Sequence, residues 1–372
     1  MNLIAFNWRD PRHPEAGGAE LHLFEILRRA VRDGDQVTWL AEAFARAPAE
    51  EVVEGIRVCR AGSWYNAHLA LASLYRRRFR RERFDLVLED INKVPFFSPC
   101  YAGAPVLAIV PHLFGTTVFR EASAPFAVLV WAHEGLIPLV YRHTPFLAIS
   151  ESTREDLARR GIDRRCISVV RCGLAQADYP VTVPPEEREA PVIVFLGRLR
   201  KYKGVQHLLN ALPAVRDVVP GAVLRIVGNG PYRPDLERLA ASLRIADHVA
   251  FLGSVRQEGK VAALNEAQVA VAPSPKEGWG LTVIEANACG VPVVASRSPG
   301  LVESVRDGET GVLVRHGDPR ALAAALVHLL THREERLAMA HAARRWACTF
   351  DWETCYRESR IVMERAATGA RA

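Results

Sequence analysis

The stretch VAVAPSPKEGWGLTVIEA, residues 269–286, decides how the rest of the chain is read. Its first four residues form a short apolar run of strand length. Glu277 then falls in a loop and Gly280 near the start of a helix. Glu285 lies on that helix about one and a half turns further in, at a rise of about 1.5 Å per residue. Two carboxylates are thereby offered to one ligand at different depths. The N–H groups of Gly280, Leu281 and Thr282, which have no helical acceptor, would face a phosphate between them, with Gly278 and Trp279 beside it. The competing reading makes Glu277 a helix cap and Glu285 an ion-paired surface residue.

Working outward, the same alternation of short apolar runs and amphipathic segments fills nearly the whole sequence, the pattern of a parallel sheet wrapped by helices. The fold class is therefore α/β. Strands are expected at 192–196, 223–227, 249–252, 291–295 and 312–314 around the opening stretch. In the first half they are expected at 3–6, 37–40, 86–88, 106–110, 146–149 and 167–170, with a helix over 19–31. Residues 177–191, ADYPVTVPPEEREAP, show neither period and are read as a linker. This gives a first Rossmann-like domain over 1–176, a second over 192–350, and a terminal helix in 351–372. Two such lobes in tandem suggest facing domains with a cleft between them.

A chain of 372 residues suits two domains, and 49% hydrophobic with 24% charged residues argues against disorder or a fibre. The net charge of +6 would suit nucleic acid, an anionic membrane surface or an acidic small molecule, and selects none of them. Seven cysteines with no C-x-x-C pair do not fit a disulfide framework, so a reducing cytosol is expected. The N-terminus reads as a strand rather than a secretory signal. The most apolar segment, 124–141, carries His133, Glu134 and Pro138, so a membrane span is not expected.

Two further loops have the make-up of anion sites. Gly17 and Gly18 follow the first strand and open a helix, where glycine lets backbone N–H groups approach a phosphate; a plain strand-to-helix turn is the alternative. After the strand at 192–196, Gly197-Arg198-Leu199 and then Lys203-Gly204 present a guanidinium fork and an ammonium point charge, a pair suited to a diphosphate. A solvated basic loop would look the same.

Taken in order, Gly17-Gly18, Gly197-Arg198-Leu199 with Lys203-Gly204, Gly228-Asn229-Gly230-Pro231, Phe251-Leu252-Gly253 and the E-x7-E frame of Glu277 and Glu285 resemble the retaining glycosyltransferases of family 4, which have the GT-B fold. The resemblance implies that Glu277 binds donor-sugar hydroxyls, that Glu285 holds the nucleotide ribose, and that Arg198 and Lys203 neutralise the departing diphosphate. It implies His112 as the histidine next to the reacting sugar, although Leu113 stands where many relatives have an acidic residue. No metal is expected, since fixed cations serve the leaving group. The expected co-substrate is a nucleotide-diphosphate sugar, a uridine-diphosphate hexose ahead of guanosine-diphosphate mannose. The expected mechanism retains the anomer by a front-face path. Similar proteins return their last helix, here bearing Trp352, to the first lobe.

The acceptor is left open among sugars, cyclitols and lipid carriers, with Glu89, Asp90, Asn92 and Lys93 as candidate contacts in the first lobe. Arg76, Arg77, Arg78, Arg80, Arg81 and Arg83 form a basic run on a helix that either docks on an anionic membrane or is merely solvated. Nucleic acid is not an expected partner. A catalytically silent GT-B subunit is the alternative from another class. A nicotinamide dehydrogenase is disfavoured because Gly17-Gly18 does not fit G-x-G-x-x-G.

Overall fold

A computed structural model describes residues 1–120 and 124–369. The chain divides into two units, Met1–Gly173 with the chain from Trp352 onward, and Leu174–Asp351. The first unit is built on eight strands: β1 (Asn2–Phe6), β2 (Gln36–Ala41), β3 (Glu50–Val53), β4 (Ile56–Arg60), β5 (Leu86–Asp90), β6 (Val106–Val110), β7 (Phe146–Ala148) and β8 (Ile167–Val169). Their order across the sheet is β3-β4-β2-β1-β5-β6-β7-β8. β1 pairs in parallel with β2 on one side and β5 on the other, so the connections reverse direction between β1 and β5. β5 and β6 are buried along their whole length, as strands covered by helices on both faces must be.

The β3–β4 hairpin has no counterpart in the sequence reading. Its two-residue turn, Glu54-Gly55, has positive φ at both positions (47° and 82°), the geometry that joins antiparallel strands without splaying them. The segment EEVVEGIRVCR shows no apolar run because the Glu54-Gly55 turn and Arg57 interrupt it, and Arg60 at its end faces inward. Its guanidinium is buried against Asp10 (2.6 Å) and Glu51 (2.5 Å).

The last helix, Trp352–Ala367, belongs to the first unit. Trp352, Cys355, Tyr356, Ser359 and Met363 are its buried stripe. Its charged side grips the helix Gly18–Arg32 and the residues just after it: Glu353 takes Arg32 (2.8 Å) and Arg29 (3.3 Å), the Tyr356 hydroxyl donates to Asp33 (2.8 Å), and Arg360 pairs with Asp35.

Beneath that contact lies His22, fully buried, with its ring 6.3 Å from Trp352 and neither nitrogen hydrogen-bonded. Burial pushes its pKa from 6.5 down to about 4. Between those values the unfolded chain takes up a proton that the folded chain refuses. Stability is therefore full above about pH 6.5 and falls on acidification toward pH 4, by about 3 kcal/mol in all. His22→Leu removes both the titration and the unsatisfied nitrogens, so its melting temperature should exceed wild type by a margin that widens as the pH drops. A margin independent of pH in thermal melts would refute this account.

The second unit has six parallel strands: β9 (Val192–Leu196), β10 (Val223–Val227), β11 (Val249–Gly253), β12 (Val269–Ala272), β13 (Val293–Ser296) and β14 (Gly311–Val314). The order β11-β10-β9-β12-β13-β14 places the reversal between β9 and β12. The residues read as a linker are fastened to this unit. The amides of Thr182 and Val183 donate to Asn265, and the buried Arg188 donates to the carbonyls of Ala267, Cys289 and Gly290. A guanidinium can satisfy several carbonyls at once, which lets a proline-rich segment without its own period pack tightly.

Candidate functional site

Ligands of open α/β sheets bind beyond the carboxyl ends of the strands where the connections reverse. In the second unit that position is formed by the loops after β9 and β12. Leaving β9, Gly197 donates to the carbonyl of Val227, and Leu199 donates to that of Asn229. A Cβ on Gly228 would lie 1.9 Å from the carbonyl oxygen of Gly197, and one on Gly230 2.3 Å from that of Leu199. The Gly228-Asn229-Gly230 motif therefore lets two loops close on one another, fixing the turn that carries Arg198.

Arg198 is exposed and has no carboxylate partner among the described residues. Lys203 sits on the turn Lys201–Lys203 and reaches across to the loop after β12, where its ammonium lies 2.6 Å from Glu277 Oε1. Burial alone would lower the Lys203 pKa and Arg198 opposes its charge, but the Glu277 carboxylate outweighs both and raises it above 10.5. Two motifs 74 residues apart in sequence thus meet in a cluster of two cations and one anion. Such a cluster has net positive charge for a phosphate and a carboxylate for hydroxyls.

Glu277 is held through its backbone. Its N–H donates to the carbonyl of Pro299 (3.0 Å), and Gly300 packs so closely that a Cβ there would lie 2.3 Å from the Glu277 carbonyl oxygen. Trp279, placed among the donor contacts by the sequence, turns its indole inward. The ring is buried and lies 5.2 Å from Phe350, because a large apolar side chain in an otherwise polar loop gains most by anchoring it to the core. What Trp279 offers a ligand is main chain. Gly280 (φ 93°) caps the helix Leu281–Ala288, and the first-turn amides of Leu281 and Thr282 have no acceptor one turn back.

Glu285 lies on this helix, partly buried. Its Oε1 accepts from Lys260 (2.9 Å) and from the Tyr179 hydroxyl (2.7 Å), while Oε2 accepts no hydrogen bond among the described residues. Glu285 is thus ion-paired, as the competing reading has it, and its second oxygen stays open to a ligand. Lys260 and Tyr179 were not among the candidates. Nothing in their local sequence marks them, since Tyr179 lies in the apparent linker and Lys260 on a helix of ordinary composition.

In the first unit, Gly17 caps the helix Gly18–Arg32 in extended conformation, and its N–H donates to Glu20 (2.8 Å). The chain's own carboxylate thus occupies part of the helix start that had been offered to an anion, leaving the amides of Gly18 and Ala19 for a ligand. His112 follows β6, half-buried, with its ring 5.0 Å from Phe114. Its loop is fixed by Glu134, which accepts the N–H groups of Phe114 (2.7 Å) and Gly115 (2.8 Å) and is paired with Arg160. No local pattern in the sequence points to this support.

Glu89 is not available for an acceptor. It is fully buried and accepts from the amides of Phe96 and Ser98 and from the hydroxyls of Ser98 and Tyr141, so it is a structural hub. Burial also pushes the Asp90 carboxyl well above its usual range, with Glu20 and Glu89 adding to the effect. Among the described residues no three His, Cys, Asp or Glu side chains are placed to hold a metal ion. No helix among them is long and apolar enough to cross a membrane.

The model for Glycosyltransferase Family 4 matches residues 16–176, and that for glycosyl transferases group 1 matches residues 182–346. The GDP-mannose-dependent alpha-(1-6)-phosphatidylinositol monomannoside mannosyltransferase of Mycolicibacterium smegmatis is 41% identical over 45% of this chain and 46% of its own. The D-inositol 3-phosphate glycosyltransferase of Corynebacterium urealyticum is 40% identical over 44% of this chain and 40% of its own. The chain thus aligns with about half the length of these curated relatives. Sucrose-phosphate synthase from Thermosynechococcus elongatus shares the fold over its whole length, with a TM-score of 0.83 at 21% identity, covering 99% of this chain and 100% of that one.

Proposed function

Because this chain belongs to the GT-B glycosyltransferases of family 4, we propose that it transfers a hexose from a nucleotide-diphosphate sugar to a hydroxyl of its acceptor, with retention of the anomeric configuration and without a metal. The observation that carries the reading is the contact of Lys203 with Glu277 near Arg198, which has no carboxylate partner among the described residues. As the glycosidic bond breaks, charge collects on the diphosphate. Arg198, Lys203 and the amides of Leu281 and Thr282 would face that charge, and preorganised groups of this kind lower the barrier. Glu277 would then give up part of its contact with Lys203 to hold sugar hydroxyls, and Glu285 Oε2 would take a ribose hydroxyl. His112 would contact the reacting sugar from the first unit. The leaving phosphate oxygen would assist removal of the acceptor's proton on the front face.

The name of the Mycolicibacterium smegmatis relative weighs toward guanosine-diphosphate mannose, where the sequence alone leaned to a uridine-diphosphate hexose. The acceptor class supported by the relatives' names is an inositol-bearing or lipid-linked hydroxyl.

The test is a thermal-shift panel of UDP, GDP and ADP with their sugar conjugates, in EDTA, on wild type and Glu285→Ala. A ligand at 100 times its Kd should stabilise the native state by about 2.7 kcal/mol. One nucleoside diphosphate should shift wild type in EDTA and shift Glu285→Ala by clearly less at equal concentration. No shift with any nucleotide would turn the reading toward a catalytically silent subunit. A shift requiring a divalent cation would overturn the metal-independent part.

A further inference from the structure

The helix Ala124–Gly135 and the short helix Ile137–Val140 are apolar on both sides, burying Ala127, Val130 and Ile137 and yet presenting an apolar face outward. Glu134, the single acid in residues 124–140, is buried and engaged with the loop of His112, whereas Val128, Trp131 and Leu139 face solvent. Trp131 is 51% exposed and Leu139 74%. Apolar side chains ordinarily take the inward face of such a helix, so an outward apolar face signals a contact outside the chain.

This face continues onto a neighbouring helix of the same unit. Trp64 lies 6.2 Å from Phe126, and His68 6.1 Å from His133, ring to ring. Trp64 (64% exposed), Tyr65 and Leu69 extend the apolar surface across the start of the helix Ala67–Leu74. That helix runs on as the π-helical turn Tyr75–Phe79 and buries Leu71, Tyr75 and Phe79, four residues apart. Its opposite side exposes Leu69, then the small Ser73, and then the cations Arg76 and Arg80. Arg77, Arg81 and Arg83 flank it. Arg76 rests on the ring of Tyr101, and none of these five arginines has a carboxylate partner among the described residues. Arg78, by contrast, is paired with Glu50.

From this we infer that the exposed face formed by Trp64, Tyr65, Leu69, Val128, Trp131 and Leu139, with its arginine border, docks in the surface of an anionic lipid bilayer. Two tryptophans and a tyrosine beside aliphatic side chains suit the headgroup boundary, where amphipathic rings partition. The arginines provide the attraction to anionic headgroups. A protein partner of ordinary kind would meet a rim of both charges, and the only acid along residues 64–83 is Glu82. The sequence reading supplied the basic run alone. The apolar face beside it emerges from folding, because its residues come from two segments about 60 positions apart. The surface is independent of donor and acceptor identity, and its test uses no turnover, so it can fail without the proposed reaction failing.

The whole protein is sedimented with vesicles of phosphatidylcholine alone and of equal parts phosphatidylcholine and phosphatidylglycerol, at low and high salt. Binding should require phosphatidylglycerol and weaken with salt. Each arginine near the surface contributes about fivefold to partitioning, so Arg77→Gln with Arg80→Gln and Arg81→Gln should lose about a hundredfold. Trp131→Ser with Leu139→Ser should lose at least about tenfold while retaining the wild-type circular dichroism and nucleotide-induced thermal shift. Lipids brominated on the acyl chain should quench wild-type fluorescence more than that of Trp131→Ser.

Failure to bind phosphatidylglycerol vesicles would overturn the inference. So would wild-type binding by the Trp131/Leu139 variant, since the apolar face would then take no part. Dimerisation abolished by Trp131→Ser, in a chain that ignores vesicles, would reassign the face to a contact between copies.

Discussion

Lys203→Ala is expected to lower kcat by about 10²–10³, equivalent to about 3–4 kcal/mol of lost transition-state stabilisation, with little change in melting temperature. The ammonium's carboxylate partner among the described residues is Glu277, and both side chains retain access to solvent, so truncation leaves no deeply buried charge behind. Its effect should appear where negative charge grows on the leaving diphosphate. Arginine should not restore the rate, because a planar fork on a longer arm cannot occupy the same point beside Glu277. Glu277→Ala, by contrast, removes the Lys203 counter-ion and the proposed acceptor of sugar hydroxyls together. Nucleotide should then still bind while turnover falls. Single-turnover transfer from labelled donor separates these cases, and a Lys203→Ala rate within threefold of wild type would remove Lys203 from the chemistry.

Gly300→Ala should lower kcat by about a hundredfold although residue 300 carries no reactive group. Its φ of 81° already disfavours any side chain, and the added carbon would lie 2.3 Å from the Glu277 carbonyl oxygen and 2.7 Å from its carbon. Both obstacles are backbone, so no rotamer change relieves them and the loop must shift. Displacement of a reacting group by about 1 Å is enough for a loss of that size. Melting temperature should fall as well, which makes the nucleotide-induced shift the informative control. If the variant kept both wild-type kcat and the full shift, the position of the Glu277 backbone would be irrelevant to the site.

These two residues show what the sequence makes legible. Glu277 and Glu285 lie on one loop and the helix it opens, a local arrangement that spacing alone conveys. Lys203 could be singled out by its own loop, although its meeting with Glu277 depends on β9 and β12 being neighbours in the sheet. Lys260 and Tyr179 were invisible for the same reason in stronger form. They reach Glu285 from 25 and 106 positions away and leave no pattern around themselves. Glu89 misled because a strand-end carboxylate looks alike whether it faces a ligand or a set of buried amides. The β3–β4 hairpin escaped because the Glu54-Gly55 turn and Arg57 break the apolar run that announces a strand, and the buried Arg60, neutralised by Asp10 and Glu51, ends it in a charge.

The backbone bridge between Leu174 and Asp351 brings together the two ends of the second unit. That unit is consequently a closed excursion within the first, and vectorial synthesis meets the two in an inverted order. When residue 351 has cleared the ribosome, the second unit has all its residues. The first, although most of it was made earlier, still lacks the helix that covers His22 and engages Arg29, Arg32, Asp33 and Asp35. The nascent chain therefore completes its later half before its earlier one, and a stop codon in the last twenty residues would injure the N-terminal unit.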